Sequence, residues 1–251
     1  MTDAPESQEN QSSARREPAI NLPGSILVLL GLMLAMHLVR TLILNEAADV
    51  ELTFWLAFIP FRFIAGQQDP SLFWPLLWTS FTHAFLHANW EHLLFNSVWL
   101  AAFGTPVARR YGARGVVILF LVSAAVGAGF FAVTVLPSNQ WLVGASGGVA
   151  GLTGAASRFI FQPLIVARDP QTGEQHVLGR QLAPLGELWR NRRAMPFIVI
   201  WLGLNAAVPF LPILIGQSIA IAWQAHLGGF LAGLLLVPLF ERRPKEESHE
   251  H

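Results

Sequence analysis

Apolar positions along the chain come in long unbroken blocks, not with the period of a strand or of a half-buried helix. Residues 25–44 form the first block, long enough to cross a bilayer as a helix. Further blocks follow at 90–107, 115–136, 146–161, 195–216 and 218–240, separated by short polar or charged segments. The pattern predicts an all-α bundle of six transmembrane helices over residues 25–240, with a very tight Gly216/Gln217 turn between the last two. Between the first two blocks, NEAADVELTFWLAFIPFRFIAGQQDPSLFWP has short apolar runs broken by Pro60, Gly66 and Pro70. That texture predicts a first loop over 45–75 embedded in the membrane interface, with Trp55 and Trp74 at headgroup depth. Residues 1–24 and 241–251 read as polar tails, and 158–193, with RDPQTGEQ, as a loop on one side of the membrane.

Composition strengthens the membrane reading. Hydrophobic residues make up 53% of the 251 and charged residues 13%, against about 25% charged in soluble domains. A formal net charge of zero offers nothing for nucleic acid, and the absence of cysteine removes disulfides, thiol nucleophiles and cysteine-based metal sites. The first twenty residues lack the basic stretch and cleavage site of a signal peptide, and their acids argue against an organellar transit peptide. Compact size without such signals suggests a bacterial inner membrane. Charge orients the bundle. With the N-terminus cytoplasmic, Arg15, Arg16, Arg109, Arg110, Arg114, Arg158, Arg168, Arg180, Arg190, Arg192, Arg193, Arg242, Arg243 and Lys245 lie inside, and only Arg40 and Arg62 outside. Fourteen against two is a strong positive-inside bias, and it makes both tails and the 158–193 loop cytoplasmic.

Polar side chains inside membrane spans are costly and mark functional sites by default. His92, Asn96, Ser146 and His226 stand out. Asn96 lies 13 residues from Arg109, Ser146 12 from Arg158, and His226 15 from Glu241. At 1.5 Å rise per residue these counts place all three roughly 18–23 Å above the cytoplasmic edge, in one layer. His92 shares a face with Asn96 one turn higher. Each residue alone has a bland reading as packing or interhelical glue, but three packing accidents at one depth are improbable. A serine needs only one histidine within reach to become a nucleophile. No carboxylate falls inside the spans except Glu91, so a Ser146–His226 dyad is the economical reading. Donors for an oxyanion could come from the Ser146 backbone N–H, His92 and Asn96. Gly147 and Gly151 beside the serine, and Gly229 and Gly233 beside the histidine, form two GxxxG steps that let helix backbones approach closely. His83, His87 and His92 raise a zinc reading, but there is no HExxH, and no metal or other cofactor is expected. His83 and His87 are expected to brace the start of the second helix.

These residues resemble the rhomboid family of intramembrane serine proteases over roughly 25–240. FTHAFLHANWEHLLFN is similar to the family's histidine-rich second-helix motif, with HxxxN at His92 and Asn96; GASG at 144–147 is its GxSG nucleophile motif; AHLGGFLAG at 225–233 resembles its HxxGxxxG last-helix motif. The resemblance implies Ser146 as nucleophile and His226 as general base and acid. It implies an oxyanion hole of His92, Asn96 and the Ser146 N–H, with Gly144 shaping the turn before the serine. It further implies an active site opening to the extracytoplasmic side, a lateral gate at the fifth helix, and substrates that are transmembrane segments of other proteins in the lipid bilayer. Three features depart from the family pattern: Ala150 stands where many relatives carry an aromatic ring beneath the histidine, Trp78 is followed by Thr79 instead of Arg, and the 158–193 segment is long. Two other classes compete. A non-catalytic rhomboid-like binder of transmembrane helices would be favoured by loss of Ser146 or His226, and a six-helix transporter by midplane charges or an inverted repeat; neither is visible.

Overall fold

The computed structural model describes residues 21–210 and 221–241. These residues are mostly helical, and among them three stretches are long and apolar enough to cross a membrane: Gly24–Ile43, Trp90–Val135 and Trp223–Phe240. Helix α1 (Gly24–Leu38) runs on through a π-helical turn, Val39–Ile43. The predicted interface loop folds into short helices, α2 (Glu46–Leu56), α3 (Arg62–Ala65) and α4 (Trp74–Thr82). Asn45 caps α2 by accepting from the Ala48 N–H. Arg62, 4% exposed, gives the segment a core of its own: it donates to the Phe54 and Ala57 carbonyls and lies over the Phe54 ring.

Helix α5 (Trp90–Trp99) passes through a second π turn, Leu100–Gly104, into α6 (Thr105–Val135). The predicted 90–107 and 115–136 spans are therefore one helical stretch in hydrogen bonding, broken at Gly112, whose φ of 74° turns the chain. Helix α7 (Ser146–Ser157) ends four residues before the predicted 161. Its C-cap, Arg158, turns its side chain inward and donates to the Ala183 and Leu234 carbonyls. Helix α9 (Ala194–Ala207) follows the short α8 (Leu185–Leu188), and α10 (Trp223–Leu236) closes the bundle. Helix α10 begins at Trp223 instead of 218, and the Gly216/Gln217 turn lies outside the described residues, as do residues 1–20 and 242–251 of the tails.

One expectation is corrected. The fold is not wholly α, because the 158–193 segment contains an antiparallel hairpin, β1 (Leu164–Arg168) and β2 (Gln175–Arg180). Its turn explains it. The Asp169 carboxylate accepts from the Gln171 and Thr172 N–H groups, and Gly173 takes the positive φ of 74° that closes the loop.

The interior is built on close helix contacts. A Cβ on Gly229 would collide with the Gly147 carbonyl, and one on Gly233 with the Gly151 carbonyl. Helices α7 and α10 therefore run parallel and backbone to backbone, as the paired GxxxG steps predict. Helix α6 runs antiparallel to both, with Tyr111 by Phe159 and Phe240 at one end, and Ala124 by Gly147 and Gly127 on the Ala225 carbonyl toward the other. Ile26 packs by Gly104 at one end of the bundle, while His37 meets Trp90 edge-on, centroids 4.5 Å apart, at the other. Ser146, at the start of α7, and His226, in the first turn of α10, thus fall at the same end.

Candidate active site

Ser146 is the first residue of α7, where N–H groups have no partner within the helix; the first bond closed there is Val149 N–H to the Ala145 carbonyl, 2.9 Å. The turn before it is held from three directions. Leu142 exchanges two backbone hydrogen bonds with Phe58 of the first loop, 2.9 and 3.1 Å. The Gly144 N–H donates to the His83 carbonyl at 2.9 Å, and the Ala145 N–H to His87 Nε2 at 3.4 Å. His83, through its carbonyl, and His87, through its ring, both buried, therefore clamp the serine turn, and the His87 ring also packs edge-on against His92 at the start of α5, centroids 5.1 Å apart. Gly144 adopts φ 123°, and a Cβ there would stand 2.7 Å from His92 Nε2 and 3.7 Å from Ser146 Oγ. Only glycine fits this backbone with the ring so close.

Asn89 caps α5 by accepting from the His92 N–H at 2.8 Å, and His92 Nδ1 accepts from the Ala88 N–H at 3.4 Å. Asn96, 5% exposed, donates one amide hydrogen to the His92 carbonyl at 3.0 Å. The other hydrogen of that amide is left for a ligand.

His92, Asn96, Ser146 and His226 all line one cavity of about 680 Å³, together with Asn89, Trp141 and Val143. A second cavity of about 340 Å³ reaches Ser146 and His226 from the side, between α5, α7 and α9; Trp99, Val149, Phe197, Ile200 and Trp201 give it an apolar wall. Asn96, Trp99, Ser146 and His226 belong to both. A larger chamber that carries most of the polar groups and a more apolar slot thus meet at one hydroxyl. Among the described residues, Ser146 Oγ and the His226 ring do not hydrogen-bond to each other.

The His226 ring is engaged elsewhere. Its Nδ1 lies 2.8 Å from Asn205 Oδ1 on α9. The reading of the sequence passed over Asn205, although it stands 12 residues from Arg193 and so satisfies the same depth count that singled out the other three. Ala150, the position without a ring, is buried among Ile198, Phe230 and Leu188. No group of three or more His, Cys, Asp or Glu among the described residues could hold a metal ion.

Ser146 at a helix start and His226 on the glycine-packed neighbouring helix thus line the same two cavities. The Rhomboid family model, described as the Rhomboid domain, matches residues 75–243. The rhomboid proteases GlpG of two Klebsiella pneumoniae strains are each 30% identical over 192 residues, covering 76% of this chain and 55% of theirs. The chain belongs to the rhomboid family and is an integral membrane protein; it aligns with little more than half the length of those relatives.

Proposed function

We propose that the protein is an intramembrane serine endopeptidase that cleaves transmembrane segments of other membrane proteins through an acyl-enzyme. The observation that carries this reading is the meeting of Ser146, His226 and Asn96 where the larger chamber, with His92 and Asn89 on its wall, joins the apolar slot. Ser146 Oγ attacks the scissile carbonyl carbon as its proton passes to His226 Nε2. The resulting oxyanion is held by the Ser146 N–H, the free Asn96 amide hydrogen and the His92 ring. Collapse breaks the C–N bond, and the imidazolium gives its proton to the departing amine. Water, deprotonated by the same histidine, then hydrolyses the ester and returns Ser146. The Ser146–His226 bond need not be closed beforehand, because catalytic hydrogen bonds are often long in substrate-free sites and tighten on binding.

The apolar slot suits substrate side chains arriving from the lipid side past α9, which makes that helix the lateral gate. The chamber supplies the water that the hydrolysis consumes. The fold unit is the six-helix domain 25–240, with both termini cytoplasmic in an inner membrane and the chamber opening to the opposite side. The test is cleavage of a transmembrane substrate in proteoliposomes, with labelling by a fluorophosphonate. Ser146→Ala should abolish both, and His226→Ala should reduce cleavage by at least about 10³-fold. Substrate capture without cleavage by the unaltered protein would instead identify a non-catalytic binder of transmembrane helices.

A further inference from the structure

Asn205 is the one carboxamide in α9, a helix otherwise made of apolar side chains, AMPFIVIWLGLNAA. Its amide is oriented by its own helix: Nδ2 donates to the Trp201 carbonyl at 2.9 Å, one turn back. With the nitrogen committed there, the atom presented to His226 Nδ1 at 2.8 Å is the oxygen, which can only accept. Nδ1 must then carry the hydrogen, and Nε2 is left with a bare lone pair. That is the tautomer a general base for Ser146 requires.

The contact is built into the packing. Trp201 stacks on Phe230, centroids 4.4 Å apart and planes 20° from parallel. Trp201 precedes Asn205 by four residues, and Phe230 follows His226 by four. Because α9 and α10 are antiparallel, the stacked pair and the hydrogen bond form adjacent rungs of one ladder, and the first fixes the register of the second. Asn205 also shares the apolar slot with Ser146 and His226. The support that a ring at position 150 would give from α7 comes here from α9.

We infer that Asn205 is a positioning residue for the Ser146–His226 reaction, holding the His226 imidazole in the Nδ1–H tautomer and in place. The inference rests on the serine-protease reading and adds a third member to the dyad, a neutral one. In the two cavities that His226 lines, the other titratable side chain is His92, and no carboxylate is among their lining residues. A carboxylate placed at 205 would therefore act on the ring without a competing acid in either cavity.

The experiment compares Asn205→Leu, which keeps the volume and removes the acceptor, with Asn205→Asp, which keeps the acceptor and adds charge. Fluorophosphonate labelling rates, kcat and KM on a transmembrane substrate, pH profiles and unfolding midpoints are read in proteoliposomes or detergent. Expected for the leucine variant are labelling and kcat lower by roughly 10- to 100-fold, with KM within about threefold and the midpoint unchanged. The aspartate variant should regain most of kcat, and the acidic limb of its kcat/KM profile should move to higher pH, because a carboxylate favours the imidazolium. A leucine variant with wild-type kcat would overturn the inference. So would a loss that tracks a lower midpoint while the aspartate profile stays in place, since that pattern describes interhelical glue. If the unaltered protein is not labelled at Ser146, the serine-protease reading fails and the role of Asn205 falls with it. Labelling of wild type and leucine variant at equal rates would sink the role of Asn205 alone.

Discussion

At the scale of single residues, the site depends on polar groups whose bonds are half assigned. Asn96 spends one amide hydrogen on the His92 carbonyl and faces both cavities with the rest of its side chain. If the free hydrogen meets the oxyanion, Asn96→Ala should lower kcat by about 10²–10³-fold with little change in KM. A purely structural asparagine would instead lower the unfolding midpoint and leave the kcat of the folded fraction intact. Gly144 is the converse case, a residue that matters by having no side chain. Its φ of 123° and the His92 ring 2.7 Å from any Cβ mean that Gly144→Ala must strain the turn or push the ring away. Cleavage should fall steeply in that variant while far-UV helicity is retained, because the helices are anchored elsewhere. Activity equal to wild type would show that the turn relaxes freely and that His92 does not need its present place.

At the scale of elements, the contact between α7 and α10 is the feature on which the site's geometry rests. In a bilayer there is little hydrophobic gain in joining two helices, so association depends on close packing. Gly233→Ala would drive a methyl into the Gly151 carbonyl. The expected cost is about 3 kcal/mol, seen as a fall of roughly 6–12 °C in the thermal midpoint. This contact was legible in the sequence, because small residues at a four-residue spacing state it directly. The positions of His92, Asn96, Ser146 and His226 at one end of the bundle were legible for a similar reason, since depth follows from counting residues to the first charge. Asn205 was missed because the count was applied only to the four residues that stood out, not to every polar residue in a span. The β-hairpin was missed because its Leu164–Val166 and Val177–Leu178 runs are short and flanked by charge, although the Asp169-to-Gly173 turn between them is a hairpin signal. The roles of His83 and His87 were not readable at all, because their partners at Gly144 and Ala145 lie about sixty residues away. At the other end of the bundle, Glu241 accepts from Arg110 at 2.9 Å and from the Tyr111 hydroxyl at 2.6 Å, tying the end of α10 to α6. Burial alone would raise the Glu241 carboxyl, but these bonds and the Arg110 charge outweigh it and leave it below its ordinary value of 4.5. A carboxyl depressed on folding stabilises above its unfolded value, and that stability is lost as pH falls through the folded one. Stability, read from unfolding midpoints, should therefore decline below about pH 4.5, by no more than about 1 kcal/mol at this solvent-accessible site. Glu241→Gln should flatten that part of the curve; an unchanged slope would mean that the clasp contributes nothing.

For the whole molecule, the question is which end faces the cytoplasm, and the charges divide by end. Arg109, Arg110 and Arg180 gather around one cavity with Tyr111 and Glu241, and buried Arg158 ties α7 to α10 near the same end. The opposite end carries the Arg40–Asp49 ion pair, in which Arg40 also donates to the His87 carbonyl. Arg40 thereby joins the end of α1 to the clamp on the serine turn, so at the sparsely charged end a cation serves the fold and not the membrane surface. Retention of Lys and Arg on the cytoplasmic side is the basis of the proposed orientation, hairpin inside, first loop and chamber outside. The absence of cysteine makes this directly measurable, because any introduced thiol is unique. Gln171, exposed in the hairpin turn, and Gln68, exposed in the first loop, are the positions to use. In intact cells a membrane-impermeant maleimide should label Gln68→Cys and spare Gln171→Cys, and in everted vesicles the pattern should reverse. Labelling of Gln171→Cys from outside intact cells would invert the topology. It would put the chamber, with Ser146 and His226, on the cytoplasmic side, and substrates would then have to present their cleavage sites from the cytoplasmic leaflet.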